Sequence, residues 1–147
     1  MVLRLLTLSL ILVASTVAFA QKKVHQTDAA PAPIGPYSQA VEANGLVFVA
    51  GQVGINPDTK KLVAGGVDGE VPQIMQNIQQ ILKAAGLSWS DVVNTTIYVK
   101  DLANFQKINT LYAKYFEKDF PARTTVGVAD LPGGASVEIA VIAARRQ

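Results

Sequence analysis

Residues 137–143 read Val-Glu-Ile-Ala-Val-Ile-Ala, and this run says more about the fold than any other part of the 147-residue chain. Apolar residues fill every position except one, as in a strand that is buried on both faces. The exception is Glu138. A carboxylate in such a strand needs a partner or acquires a raised pKa, and a raised pKa is what a general acid or base requires near neutral pH. A glutamate on an edge strand or the surface is an equally good reading of this single charge.

Working outward from this strand, four more strands are predicted by β-branched and aromatic residues and by the turn residues between them. Asn44-Gly45 is a type I′ hairpin signal between the first two strands, and Leu131-Pro132-Gly133-Gly134 joins the last two. The five predicted strands are residues 38–43, 46–52, 92–100, 124–129 and 136–144.

Two amphipathic helices are predicted between these strands. The first has Pro72 in its first turn, an apolar stripe at helical spacing from Ile74 to Ala85, and Gly86 at its end. The second follows Asp101, a good N-cap residue, and its stripe runs from Phe105 to Phe116. The resulting order is β-β-α-β-α-β-β. It predicts an α+β two-layer sandwich, with two helices on one face of a mixed sheet and a bare apolar face opposite. We expect that bare face to be buried by copies of the same chain.

The chain is predicted to have three parts. Residues 1–20 have a short basic start, an apolar run and the small residues Ala18 and Ala20, the pattern of a cleaved signal peptide. A membrane anchor is the alternative, but the run is shorter than the roughly 20 apolar residues that a span needs. Residues 21–33 are predicted to be a flexible arm and residues 34–147 a single domain. We therefore expect an exported protein, periplasmic or secreted, with no membrane attachment after cleavage.

The composition excludes several kinds of chemistry. The chain has no cysteine and a single histidine, so thiol nucleophiles, His-based triads and zinc sites are not expected. The 13 basic and 11 acidic residues nearly balance, which gives nucleic-acid binding little electrostatic support. The chemistry must therefore come from carboxylates, arginine, hydroxyls, amides and the backbone.

Arg123 is the second candidate for chemistry after Glu138. It follows Phe120-Pro121-Ala122 where a strand is predicted to begin, and its planar guanidinium could hold a carboxylate by two parallel hydrogen bonds. A surface arginine is the alternative. Three further residues have weaker signals: Tyr37 beside rigid turn residues, Asn109 on the apolar stripe of the second helix, and Gly51 with a backbone open to close approach.

Taken together, these segments resemble the Rid family of reactive intermediate deaminases, also called YjgF. The resemblance covers the chain from about Ala32 onward. It is carried, in order, by Ile34-Gly35-Pro36-Tyr37-Ser38-Gln39-Ala40, Gly51-Gln52, Asn94-Thr95-Thr96-Ile97-Tyr98-Val99-Lys100-Asp101-Leu102, Phe120-Pro121-Ala122-Arg123 and Val137-Glu138-Ile139.

This resemblance implies a chorismate-mutase-like fold assembled as a homotrimer, with sites between subunits. It also implies hydrolysis of 2-aminoacrylate and related enamines or imines to 2-keto acids and ammonia, without metal or organic cofactor. By motif position, Arg123 would bind the substrate carboxylate and Glu138 would manage the protons. Tyr37, Gly51 and Asn109 would line the cleft.

The chain departs from the family pattern at two positions in the cleft. Ala50 stands where many members have serine, and Thr125 where many have cysteine, although Thr125 can still hydrogen-bond to a substrate. Both changes bear on rate and substrate preference more than on the class of reaction. The main alternative function is a non-catalytic trimer that binds a small carboxylate or a client protein. A ribonuclease or translation inhibitor, a function attached to relatives, fits the balanced charge poorly.

Overall fold

The structure, a computed structural model, describes residues 21–146, so the predicted signal peptide lies outside the described residues. The described chain forms six strands and two α-helices: β1 Lys23–His25, β2 Ala40–Ala43, β3 Leu46–Gln52, α1 Val67–Ala84, β4 Val92–Val99, α2 Phe105–Ala113, β5 Ala122–Gly127 and β6 Val137–Ala144. The strands make one sheet in the order β1-β2-β3-β6-β4-β5. Only β4 and β5 are parallel; the other neighbours are antiparallel. The predicted α+β fold is therefore confirmed.

β6 lies in the middle of the sheet, and its side chains alternate between two environments. Val137, Ile139, Val141 and Ala143 are buried in the core formed by the sheet and the two helices. The residues between them point to the face without helices, here called the open face, and are only half-buried. Phe48 and Val126 also belong to this face and are 44% and 41% exposed. In the described chain β6 is thus buried on one face, whereas its composition predicted burial on both.

The sequence analysis placed Pro72 in the first turn of this helix, whereas α1 begins at Val67 and Pro72 lies in its second turn. Pro72 lies inside the helix and has no N–H to donate to Asp68. The extra turn is stabilised because Val67 and Val71 are buried and Glu70 is hydrogen-bonded to β6. The predicted end is confirmed, since Gly86 has φ of 72° and its N–H donates to the Lys83 carbonyl. No helix within residues 21–146 is long and apolar enough to cross a bilayer.

The predicted hairpin is confirmed, whereas Asp101, the predicted N-cap of the second helix, caps the turn before α2, whose own N-cap is Asn104. Asn44 and Gly45 both have positive φ, 51° and 74°, as a type I′ hairpin requires. The Asp101 side chain accepts a hydrogen bond from the Ala103 N–H and caps the 3-10 turn Leu102–Asn104 that leads into α2. α2 itself ends earlier than its apolar stripe, so Tyr115 and Phe116 follow the helix and pack against the core from a loop.

The segment 21–33 differs from the flexible arm that its composition predicted. β1 pairs with β2, and the Gln39 side chain binds the backbone of Thr27, Ala30 and Pro31. The physical reason is that β2 would otherwise be an edge strand with unpaired backbone groups. His25 also binds Glu42 at 2.7 Å. Hydrogen bonds from Arg145, and then from His25, lower the pKa of the Glu42 carboxyl to about 2.

Candidate active site

The candidate site residues lie on both faces of the sheet. Glu138 on β6 is opposite Tyr98 on β4, and both point to the open face. Arg123 on β5 is next to Thr95 on β4, which is fully buried on the helix side. Because neighbouring residues across a sheet point to the same face, Arg123 and Glu138 point to opposite faces of the sheet. They form two separate regions, here called the carboxyl half-site (around Glu138) and the guanidinium half-site (around Arg123).

The carboxyl half-site is a cavity of about 300 Å³ on the open face. Burial raises the pKa of the Glu138 carboxyl. Most of the wall is apolar, so the protonated, neutral form of this carboxyl group is favoured more strongly than it would be in water. The other residues of the wall are Pro31, Ala32, Ile34, Tyr37, Gln39, Ala50, Gly51, Gln52, Val53, Ile55 and Pro132.

Gly51 determines how closely Glu138 approaches β3. The ladder between β3 and β6 is irregular between Val49 and Gln52, and the Glu138 side chain lies over the backbone at Gly51. A Cβ atom at this position would be 2.7 Å from the Glu138 Cδ and would overlap one carboxyl oxygen. Glycine is therefore required here for the carboxyl group to occupy its observed position.

Tyr37 lies at the mouth of the same cavity and is 49% exposed. Its hydroxyl accepts a hydrogen bond from the Ile34 N–H at 3.3 Å, and its own N–H donates to the Gly35 carbonyl at 2.8 Å. The turn therefore holds the ring beside the cavity with its edge open to solvent. Gln39 fixes the segment that forms this wall, a role that the sequence did not predict.

The guanidinium half-site is a shallow cavity of about 380 Å³ on the helix side of β5, between this strand and α2. The Arg123 guanidinium donates to the Asn109 side-chain oxygen at 2.7 Å. This is the only hydrogen bond that the Arg123 side chain makes within residues 21–146, so its other guanidinium N–H groups are available to a ligand. Asn109, a polar residue on the apolar stripe of α2, thus has Arg123 as a hydrogen-bond partner.

Tyr112 provides the surface against which the guanidinium rests. Its ring centroid is 5.1 Å from the Arg123 Cζ, and that of Phe105 is 5.9 Å away. A cation over an aromatic face is attracted by the ring quadrupole. The Tyr112 hydroxyl is hydrogen-bonded to the Thr95 hydroxyl at 2.9 Å inside the core, and burial raises the pKa of the phenol. The sequence indicated Tyr112 only as part of the buried stripe of α2.

Thr125 lies two residues after Arg123 on β5 and points to the same side. The six candidate residues therefore fall into two groups within the chain. Tyr37 and Gly51 lie with Glu138, whereas Asn109 and Thr125 lie on the side of Arg123. No group of three or more His, Cys, Asp or Glu residues in the described chain is arranged to hold a metal ion.

The chain is similar to known proteins over most of its length. Residues 27–145 match the family described as Endoribonuclease L-PSP. The chain is 49% identical to Reactive Intermediate Deaminase A, chloroplastic, from Arabidopsis thaliana, over 84% of this chain and 66% of that protein. It is 46% identical to the 2-iminobutanoate/2-iminopropanoate deaminase of Mus musculus, over 83% of this chain and 90% of that one. The crystal structure of the Rid-family protein YyfA from Yersinia pestis superimposes with a TM-score of 0.82 at 45% identity, covering 84% of this chain and 99% of that one. Both half-sites lie within the matched residues.

Proposed function

The chain belongs to the Rid family of reactive intermediate deaminases, and we propose that it hydrolyses 2-imino acids to 2-keto acids and ammonia with Arg123 and Glu138 of neighbouring subunits. The observation that carries this proposal is the contrast between the two half-sites. One contains a positioned guanidinium with free N–H groups, and the other a carboxyl group with a raised pKa. A 2-imino acid has a carboxylate next to an electrophilic carbon. The guanidinium can bind this carboxylate, and the carboxyl group can assist the attack of water on this carbon.

Arg123 would bind the substrate carboxylate through its free N–H groups. Its planar fork allows two parallel hydrogen bonds to one carboxylate, so the substrate would be fixed in orientation as well as in place. The contacts with Asn109 and Tyr112 hold the guanidinium before the substrate arrives. Binding in this way converts attack by a free water molecule into attack on an oriented carbon.

Glu138 would carry the protons of the reaction. As a water oxygen bonds to C2 of the imine, the Glu138 carboxylate takes a proton from that water. The carboxyl group returns this proton to the imine nitrogen, which gives the neutral carbinolamine. The carboxylate then accepts the hydroxyl proton of the carbinolamine and passes it to nitrogen, so that the C2=O bond forms as the C2–N bond breaks and ammonia leaves. The products are the 2-keto acid and ammonia, and Glu138 is regenerated. A carboxyl group that titrates closer to neutral pH than an ordinary glutamate suits both steps.

Assembly as a homotrimer would bring the two half-sites together. The open face has half-exposed apolar residues along its strands, Phe48 and Val126 among them, and a surface of this kind is favoured as an interface between subunits. In a ring of three copies, each contact joins two different surfaces of neighbouring subunits. The open face of one subunit would then meet the β5 edge of the next, and Arg123 of one copy would face Glu138 of its neighbour.

Mixed trimers test the reaction and the shared site at once. Arg123→Ala and Glu138→Ala chains, each with its own affinity tag, are co-expressed, and keto-acid formation from an imine generated in situ is followed. Each variant alone is expected to be nearly inactive. In randomly mixed rings a given site combines an intact Arg123 with an intact Glu138 in about a quarter of cases, so about a quarter of wild-type activity should return.

Mixed trimers that are verified by native mass spectrometry but stay inactive would rule out a site shared in this way. If wild type itself does not accelerate hydrolysis but binds a 2-keto acid, the non-catalytic carboxylate-binding trimer would be the better description.

We also propose that the enzyme acts outside the cytoplasm, on the basis of the leader-like residues 1–20. Such a location requires a local source of imine, for example an amino-acid oxidase. We expect the mature chain in an extracytoplasmic fraction to begin at Gln21, as determined by N-terminal sequencing. A cytoplasmic protein with Met1 to Ala20 intact would overturn this proposal.

A further inference from the structure

Glu70 is a buried carboxylate that the proposed reaction does not use. It lies in the first turn of α1 and is only 2% exposed. An unpaired carboxylate at such a position would strongly destabilise the fold. Here its Oε2 accepts hydrogen bonds from two backbone N–H groups, Ser136 at 2.8 Å and Val137 at 3.3 Å. The position near the helix N-terminus also favours a negative charge.

The two donors are the residues directly before Glu138 in the chain. Charge-assisted hydrogen bonds are shorter and stronger than neutral ones. Glu70 therefore fixes the position of the backbone at the start of β6. On the other side, the Lys100 N–H donates to the Ser136 carbonyl at 3.0 Å. The backbone that carries Glu138 is therefore held from α1 and from the end of β4.

The opposite wall of the carboxyl half-site is tied to the same helix. Asn77 is 1% exposed, and its side-chain amide donates to the Ile55 carbonyl at 2.9 Å and the Val53 carbonyl at 3.4 Å. Between those residues, Gly54 packs directly on Glu70, because a Cβ atom there would be 2.8 Å from the Glu70 Cα. Val53 and Ile55 line the cavity with Glu138. Buried polar groups of α1 thus hold both walls.

We propose that Glu70 is a positioning residue for Glu138, acting through the backbone at the start of β6. This inference rests on the proposed function, and it assigns the orientation of the proton-carrying group to α1. The guanidinium half-site is oriented independently, by Asn109 and Tyr112 of α2. A change at Glu70 should therefore alter the chemical step and leave the capture of the substrate carboxylate nearly unchanged.

Glu70→Gln tests this role in the full-length trimer. The amide has nearly the same volume and its oxygen can still accept from the two backbone N–H groups, but without a charge these hydrogen bonds are longer and weaker. We expect kcat to fall by about 10- to 100-fold, since a displacement of about 1 Å can cost that much in rate. KM should change by less than about twofold, because Arg123 is untouched. The ¹³C NMR titration midpoint of the Glu138 carboxyl should move down as that group becomes less buried.

Glu42→Gln is the matched control, with the same chemical change at a carboxylate bound to His25 and Arg145. It should leave kcat and the Glu138 titration within error of wild type.

Glu70→Asp is a milder variant that keeps the charge and withdraws the carboxylate. An unmoved Glu138 midpoint in a folded Glu70 variant would overturn the positioning role. Failure of both variants to assemble would also overturn it, since Glu70 would then serve the fold as a whole. A wild-type protein without deaminase activity would refute the function instead, and the NMR titration would still test the positioning.

Discussion

Replacing Glu138 by glutamine is expected to lower kcat by about 10²- to 10⁴-fold, the usual contribution of a general acid or base. The amide keeps the size of the side chain but cannot accept a proton from water. Affinity for a 2-keto acid should be nearly unchanged, because the proposed carboxylate contact is made by Arg123. Rapid mixing with an imine generated in situ, followed by detection of the keto acid, measures kcat. Isothermal titration with a 2-keto acid measures the affinity. Equal kcat values for wild type and Glu138→Gln would exclude Glu138 from the proton transfers.

The pH dependence gives an independent signature of the same group. Burial raises the pKa of Glu138, and the first step requires the carboxylate. The rate should therefore rise with pH through this raised pKa and level off above it. The midpoint should lie higher for kcat than for kcat/KM, because in the proposed ring a bound substrate carboxylate would neutralise Arg123 of the neighbouring copy and leave Glu138 without a cation. In Glu138→Gln the acid limb should disappear.

Gly51→Ala complements Glu138→Gln because it retains the Glu138 carboxyl group but changes its position. The added methyl group would overlap the carboxyl oxygen, so Glu138 must move away from β3. Its kcat should fall while an acid limb remains, whereas the limb is lost in Glu138→Gln. The two variants thereby separate the presence of the carboxyl group from its placement.

Replacing Arg123 by alanine should lower kcat/KM by roughly 10²- to 10³-fold, mostly through KM. This fold-change corresponds to about 3–4 kcal/mol, which lies within the range of about 2–5 kcal/mol lost when one partner of a desolvated charge pair is removed. Arg123→Lys should recover only part of the loss, because an ammonium group lacks the planar fork and stacks less well on Tyr112. Isothermal titration with a 2-keto acid measures the binding part directly.

Lys107→Ala provides the control for charge alone. Lys107 is a half-exposed cation on α2, paired with the exposed Asp68, and its removal should change kcat/KM by less than about twofold. An Arg123→Ala protein with the KM of wild type would show that the substrate carboxylate is bound elsewhere.

Local signals in the sequence predicted local structure well. The hairpin at Asn44-Gly45 and the helix end at Gly86 are each determined by a residue that accepts positive φ. The N-terminal limit of α1 was missed because Pro72 is a common first-turn residue. The added turn depends on contacts of Val67 and Glu70 with distant residues. β1 was missed because its three residues gain stability from β2 rather than from their own composition.

The candidate residues of the site could be selected from the sequence, but their arrangement could not. That Arg123 and Glu138 point to opposite faces follows from the order β6-β4-β5 and from the parallel pairing of β4 with β5. Neither can be deduced from the order of elements along the chain. Glu70 resembled an ordinary acidic residue near a helix start, and only the tertiary fold shows that the start of β6 lies against it.

The placement of Arg123 and Glu138 on opposite faces has a consequence for how such a protein can change during evolution. In the proposed ring, the interface between two copies would both hold the assembly together and contain the active site. A substitution on the open face would then be judged by two selective pressures at once, association and turnover. Drift along β3, β4 and β5 should be slower than on the outward surfaces of the helices, because few exchanges satisfy both demands.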